Sequence, residues 1–410
     1  MNRIADSLKR TTWNHFSGNQ LTFGPGAIGT LTGVVQREQA RRVLIISDQR
    51  LVDAGLASQA EIAIQASSAT SQVFGEGEAE PSILTVKRLL CAAQDYKPDL
   101  FVAVGGGSIM DLAKAAAVAL AYDGDVEDLF ACDHVPRRNI RLVCVPTTAG
   151  TGSEVSHAAM IKNHLTGVKS VMLSQNLRPD IAIVDPQMML SCPPQVAAES
   201  GMVALTHAIE AYLVRNFYSF PEDLEHGLPF EGNHPVGDMY AEKAIRLIGR
   251  NLQRVVDDPE DFAAQSGMAF AATLAGIAFS SCGASLTQAI QNALSCTCQT
   301  RDGVGSGIVL PAVMQFWAET RQSRLAQIAG FLELDGTGKT QESEMALSAI
   351  QWAREVPDHI GLPTGLTAAG VNPEDVAALA ATAVSSQNLI DLSPLTATVD
   401  DLIRILKTCF

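Results

Sequence analysis

The chain has 410 residues, 47% of them hydrophobic and 18% charged, and its 29 Lys and Arg against 44 Asp and Glu give a formal net charge of −15. Such a composition fits a compact globular protein with two cores and excludes a disordered chain. No window clusters the Lys and Arg that a phosphate backbone needs, so a nucleic-acid surface is excluded, and an acidic or membrane-bound partner is not expected.

The eight cysteines, at 91, 132, 144, 192, 282, 296, 298 and 409, form no C-x-x-C pair and no repeated spacing, which points to reduced thiols rather than a zinc cage or a disulfide framework. The first residues, M-N-R-I-A-D-S-L-K-R, lack an apolar h-region, and no run reaches the roughly 18 uninterrupted apolar residues of a membrane span. A cytoplasmic protein in solution, with no membrane partner, is the expectation.

Taken in chain order, Gln20 to Phe23 is a short strand closed by Gly24-Pro25-Gly26, and Arg42 to Ser47 is an apolar run of strand length that ends at Asp48. A run apolar on both faces suits a strand buried in a parallel sheet, at whose carboxyl edge ligands bind. Asp48 at that edge is either a turn residue or an acceptor for a ribose diol. Leu100 to Val104 is a second such strand, followed by Gly105-Gly106-Gly107-Ser108 and an Ala-rich helix over 109–120. Glycines before a helix N-terminus let a phosphate approach unpaired N–H groups. The pattern is not G-x-G-x-x-G, and a tight turn without a ligand is the alternative. Leu142 to Val145 then feeds Pro146-Thr147-Thr148-Ala149-Gly150-Thr151-Gly152-Ser153-Glu154. Two small-residue loops after parallel-type strands suit the two sides of one dinucleotide. Lys169 and the strand Ile181 to Val184 follow, and Asp185-Pro186 closes the first domain.

Beyond Pro193, Ala-, Leu- and Ile-rich segments predict helices over 195–215, 237–255, 260–282, 284–297, 305–333, 341–357 and 373–385. In the first of them Met202, Leu205, Ile209 and Tyr212 share a core face, while Val203 and His207, four apart, share another strip. By itself that reads as a packed helix with one hydrogen-bonded histidine. The 217–235 connection, with His226 and His234, is either a surface elaboration or a lid.

GGGSIMDLAKA at 105–115, PTTAGTGSEV at 146–155, DIAIVDP at 180–186, PP at 193–194 and GMVALTHAIEAY at 201–212 closely resemble the iron-containing (group III) alcohol dehydrogenase family, whose fold is shared with dehydroquinate synthase. The resemblance implies an α/β nucleotide-binding domain with a parallel sheet over 1–190, an all-α domain over 191–410, a cofactor cleft between them and a homodimer. It implies NAD, with NADP possible: Asp48 on the adenosine ribose, Gly106, Gly107, Ser108 and Asp111 along the pyrophosphate, and Thr147, Thr148, Thr151 and Lys169 nearer the ribose and nicotinamide. Glu80 stands where a small polar residue is expected against the adenosine.

The metal half departs from the pattern. The family holds a divalent metal with an Asp, a His four residues on, and two later His; those positions here are Val203, His207, Gln288 and Asp302, and Asn292 replaces a further His near the nicotinamide. Valine cannot ligate and a glutamine carbonyl is a weak donor, so no tightly bound metal is expected unless His226 or His234 rebuilds the site. Two functions follow. One is a metal-independent NAD(P)-dependent reductase or dehydrogenase of a small aldehyde, ketone or alcohol, with His207 as proton donor and Asp302 orienting it. Maleylacetate reductases, relatives on the same fold, are a precedent. The other is a nucleotide-binding paralogue that has lost dehydrogenase chemistry or turned its cofactor to a different reaction.

Overall fold

The structure is a computed structural model that describes residues 10–16, 20–130, 135–163, 169–220, 229–334 and 341–410. The chain divides into two compact units.

The first unit covers 20–197, within the described residues, together with 258–276. Its main strands are β1 Gln20–Phe23, β2 Arg42–Ile46, β3 Thr70–Phe74, β4 Leu100–Gly105, β5 Arg141–Pro146 and β8 Ile181–Val184. They form one parallel sheet in the order β1-β8-β5-β4-β2-β3. The helices are α1 Leu31–Arg37, α2 Gln49–Asp53, α3 Leu56–Gln65, α4 Ile83–Tyr96 and α5 Gly107–Ala119. Alternation along the strands sorts the apolar residues into two cores. Leu44, Ile46, Phe101, Ala103, Leu142 and Cys144 pack with α4 and α5, and Val43, Ile45, Val102, Val104, Val143 and Val145 pack with α1 and α3. Burial on both faces is why these strands read as continuous apolar runs. The sequence TSQVF of β3 carries no such run, because this is an edge strand with an exposed and half-buried start. A hairpin of β6 Ala158–Lys162 and β7 Lys169–Leu173, which pairs Lys162 with Lys169, is a further addition to the expected elements.

The second unit contains 10–16, 198–220, 229–257 and the described residues of 277–410. Its helices are α6 Pro194–Leu213, which begins in the first unit, α7 Pro235–Asp257, α9 Leu286–Cys298, α10 Asp302–Phe316, α11 Ala318–Phe331, α12 Glu342–His359, α13 Val376–Val384, α14 Gln387–Ile390 and α15 Val399–Lys407. α8, Phe262–Cys282, runs from the first unit into the second. It is long and apolar enough to cross a membrane, but 72% of its most apolar window is buried in the protein, as in a core helix.

The division differs from the single boundary expected at 190. Residues 191–197 and 258–276 belong with the sheet, and 10–16 belong with the helices. The cause in α8 is local: Thr273 Oγ1 donates to Glu154 Oε1 at 2.8 Å, and a Cβ on Gly276 would stand 2.6 Å from Gly152 Cα. The N-terminal arm is held by an Arg10–Glu231 ion pair and by Trp13 stacked on His234. The single helix expected over 305–333 is broken at Trp317, whose fully buried indole donates to Ser393 Oγ at 3.1 Å, and the chain departs from helical geometry again at Arg321 (φ −122°, ψ 18°). The seven described cysteines are free.

Candidate functional site

In the sheet unit, parallel strands bring the ends of β2, β4 and β5 to one edge, and Gly105 is register partner of Pro146. Gly106 is the N-cap of α5, so the first-turn N–H groups of a 13-residue helix open directly after the glycine turn. The two small-residue loops meet there. Thr147 N donates to Gly105 O at 3.1 Å, a Cβ on Gly106 would stand 3.1 Å from Thr148 Oγ1, and one on Gly107 would stand 2.6 Å from Thr151 Oγ1. A Cβ at 107 would force Thr151 to move, and one at 106 would crowd Thr148. Gly106, Gly107, Ser108, Thr148 and Thr151 stay partly accessible, whereas Thr147 is buried.

Asp48 sits at the end of β2 as expected and also caps α2: Oδ1 accepts from Arg50 N at 2.9 Å and Leu51 N at 3.2 Å, and Oδ2 lies 3.5 Å from Arg50 Nη2. Ser108 Oγ donates to Ala79 O at 2.5 Å. Asp111 is placed differently from the expectation of a pyrophosphate contact. Its Oδ1 accepts from Ser153 Oγ at 2.6 Å and its Oδ2 from Met160 N at 2.9 Å, so the carboxylate is turned into the protein beneath the loops. Lys169, on β7, is ion-paired with Glu80 at 2.8 Å, and Glu80 also takes Lys162 at 2.8 Å. The acid that departed from the family pattern therefore clamps the two strands together at the turn end of the hairpin. Glycine turn, helix N-terminus, accessible threonine hydroxyls and Asp48 together fit a dinucleotide.

In the helical unit, His207 is 6% exposed and Val203 9%, one turn apart on α6. The imidazole stacks on Phe279, centroids 4.4 Å apart and planes at 14°, and its Nδ1 is buried. Glu210, fully buried on the same helix, caps α9: its carboxylate accepts from Ser285 N and Thr287 N at 2.8 Å and from Gln288 N at 3.4 Å. That contact fixes Gln288 relative to α6. Gln288 Nε2 donates to Asn292 Oδ1 at 2.9 Å along α9. Asp302, expected to orient His207, starts α10 and accepts from Ser295 Oγ at 2.7 Å and Gln291 Nε2 at 3.1 Å. Those contacts give its carboxylate a structural task at the α9–α10 junction.

Among the described residues no three His, Cys, Asp or Glu side chains form a group able to hold a metal ion. The set at the family's ligand positions does not fit tight iron or zinc: one imidazole, one hydrogen-bonded carboxylate, one neutral amide and a valine. His234 does not complete it. Its Nδ1 accepts from Gly237 N at 3.2 Å, and its Nε2 lies 2.9 Å from Ser281 Oγ. The amide leaves Nδ1 no free lone pair, and the ring acts as the N-cap of α7. His226 and residues 221–228 of the connection lie outside the described residues, so the lid expectation is addressed only at its ends, where Phe217 N donates to Asn233 O at 3.0 Å and Asn233 N to Arg215 O at 2.8 Å.

The sequence profile described as "Iron-containing alcohol dehydrogenase" matches residues 18–186, and "Fe-containing alcohol dehydrogenase family, C-terminal" matches 227–410. The chain belongs to the iron-containing alcohol dehydrogenase family. It is 32% identical over 391 residues to long-chain-alcohol dehydrogenase 1 of Geobacillus thermodenitrificans, covering 94% of each chain. It is 29% identical to the NAD-dependent methanol dehydrogenase of Bacillus methanolicus, covering 96% of this chain and 99% of that one. Among solved structures, 1,3-propanediol oxidoreductase superposes with a TM-score of 0.90 at 28% identity, over 97% of this chain and 100% of that one. The relatives are dehydrogenases and reductases, and the chain is a member of an enzyme family of oxidoreductases.

Within that family three residues of the site were missed by reading the sequence. Glu210 left a signal, an acid on an otherwise apolar helix, which has to be paired when buried. Lys114, fully buried on α5 with its ammonium on Ser153 and Ser156 of the second loop, left the same signal in an Ala-rich helix. Phe279 left none, since one aromatic in an apolar helix is ordinary core.

Proposed function

We propose that this protein is an NAD-dependent oxidoreductase that interconverts a small aldehyde or ketone with its alcohol and works without a tightly bound iron or zinc. The observation that carries the reading is the pairing of a dinucleotide-type loop pair with a ligand set in which only His207 is kept. The bound nicotinamide supplies or accepts the hydride. Asp48 accepts from the adenosine ribose and disfavours a 2′-phosphate, so NAD is preferred to NADP, and the glycine turn with the α5 N-terminus receives the pyrophosphate. His207 exchanges the substrate-oxygen proton through Nε2, its Nδ1 being buried. Phe279 holds the imidazole plane, and Gln288 and Asn292 offer amide N–H groups to a substrate oxygen. The enzyme is cytoplasmic and a homodimer on this reading, with no nucleic-acid or membrane partner.

The test is an aldehyde and ketone panel with NADH, run beside metal analysis. Turnover that His207→Ala lowers by about 100-fold or more supports the proton donor. Unchanged turnover in that variant refutes it, and a full equivalent of iron or zinc surviving chelation refutes metal independence. NADH binding with no turnover across the panel transfers the reading to a nucleotide-binding paralogue.

A further inference from the structure

Beneath the two cofactor loops lies a lysine with no exposed surface. Lys114 is 0% exposed on α5, and its ammonium, with three protons to place, meets three acceptors: Ser153 Oγ at 2.6 Å, Ser156 Oγ at 3.0 Å and Ala158 O at 2.9 Å. Asp111 Oδ1 is 3.7 Å away as counterion, and the same carboxylate accepts from Ser153 Oγ at 2.6 Å and Met160 N at 2.9 Å. Taking the ammonium out of water pushes Lys114 below its ordinary range, and the Asp111 carboxylate opposes that shift. A buried charge is stable only when so completely paired.

The placement matters more than the pairing. Gly107, Asp111 and Lys114 follow one another at helical spacing along α5 and so share a face. That face meets the second loop in order: Gly107 against Thr151, Asp111 against Ser153 and Met160, Lys114 against Ser153, Ser156 and Ala158. Thr151 is joined to this row through its Oγ1, which accepts from Ser153 N at 3.2 Å. The helix whose N-terminus receives phosphate is thus bolted to the segment that carries the ribose- and nicotinamide-side hydroxyls.

We propose that Lys114 and Asp111 are positioning residues for the dinucleotide, a buried ion pair that sets the spacing between the glycine turn and the 147–151 hydroxyls. The role rests on the NAD-binding reading above. It predicts a defect confined to ligands that span both loops. AMP, whose ribose is held at Asp48 and which does not reach the second loop, is insensitive to it.

Ser153→Ala tests this with the least damage, because it removes the hydroxyl shared by Lys114 and Asp111 and leaves both charges in place; Lys114→Met is the harsher companion. NADH is titrated by fluorescence, AMP by calorimetry, and folding is followed by thermal denaturation. In Ser153→Ala, which loses the bonds to both Lys114 and Asp111, the NADH Kd rises about tenfold or more, while the AMP Kd stays within about twofold. Ser153→Thr, which keeps a hydroxyl, recovers NADH affinity. A folded Ser153→Ala protein that binds NADH like the wild type overturns the positioning role and leaves the NAD-binding reading standing. Equal weakening of NADH and AMP overturns it too, since that is general loosening of the unit. Absence of NADH binding by the wild type overturns both readings.

Discussion

His234 makes this protein acid-sensitive in a window that can be worked out from its contacts. The ring is 1% exposed, stacks on Trp13 with centroids 4.5 Å apart and planes at 8°, and has His15 at 5.6 Å. Burial first, and then the neighbouring His15, push its pKa from 6.5 down to about 4. The hydrogen bonds agree: Gly237 N–H points at Nδ1 at 3.2 Å, so a proton added there would face another donor. The unfolded chain takes up this proton near 6.5 and the folded protein only near 4. Stability from this group is therefore complete above about pH 6.5 and falls as the pH drops toward 4. The difference of roughly 2.5 pKa units sets an upper limit near 3.4 kcal/mol, which residual structure in the unfolded chain lowers to about 2–3 kcal/mol. For a unit of some 200 residues that is roughly 5 °C in Tm. The variant is His234→Asn, because Asn caps a helix as well as any residue and does not titrate. Thermal denaturation from pH 4.5 to 7.5 is expected to show a lower Tm for the variant at neutral pH, from the lost stacking, and a shallower fall on acidification. Parallel curves for wild type and variant would refute the reasoning, since the proton would then bind elsewhere.

Val203→Asp is expected to leave the metal content well below one equivalent by plasma emission analysis, because Gln288 offers only a weak neutral carbonyl and Asp302 Oδ1 is engaged by Ser295 and Gln291. Gly276→Ala places a Cβ 2.6 Å from Gly152 Cα and 2.7 Å from Gly152 O, so a backbone must move; a loss of about 1–3 kcal/mol in denaturation is expected, with weaker NADH binding because Gly152 belongs to the second cofactor loop. Burial raises the Glu80 carboxyl, but the bonds from Lys162 and Lys169 outweigh it and hold the group below its ordinary 4.5. Its contribution is present above pH 4.5 and is lost as the pH falls through the folded value, so Glu80→Gln should flatten the Tm profile below about pH 4.5; an unchanged profile would count against the two-lysine clamp.

The parallel sheet, the glycine turn and the hydroxyl loop were legible in the chain because each is local. Continuous apolar runs follow from burial on both sides of a strand, G-G-G-S stands between a strand and a helix, and a valine at 203 cannot become a donor in any fold. The edge strand β3 was not legible, because its polar alternation differs little from that of a loop. Nor was the division of α8 between two units, which depends on Gly152 and Gly276 meeting across 124 residues of chain. Tertiary structure also gave particular side chains structural partners. Asp111 reads as a cofactor contact from its motif and is turned inward by Ser153 and Met160. Asp302 reads as a partner for His207 and accepts from Ser295 and Gln291. His234 reads as a spare metal ligand and caps a helix. Sequence determined which groups are chemically capable, because composition and spacing are properties of the chain. Only the packed structure decided which of them are spent on holding the protein together, because a buried donor or acceptor must be paired and its partner lies far away along the chain.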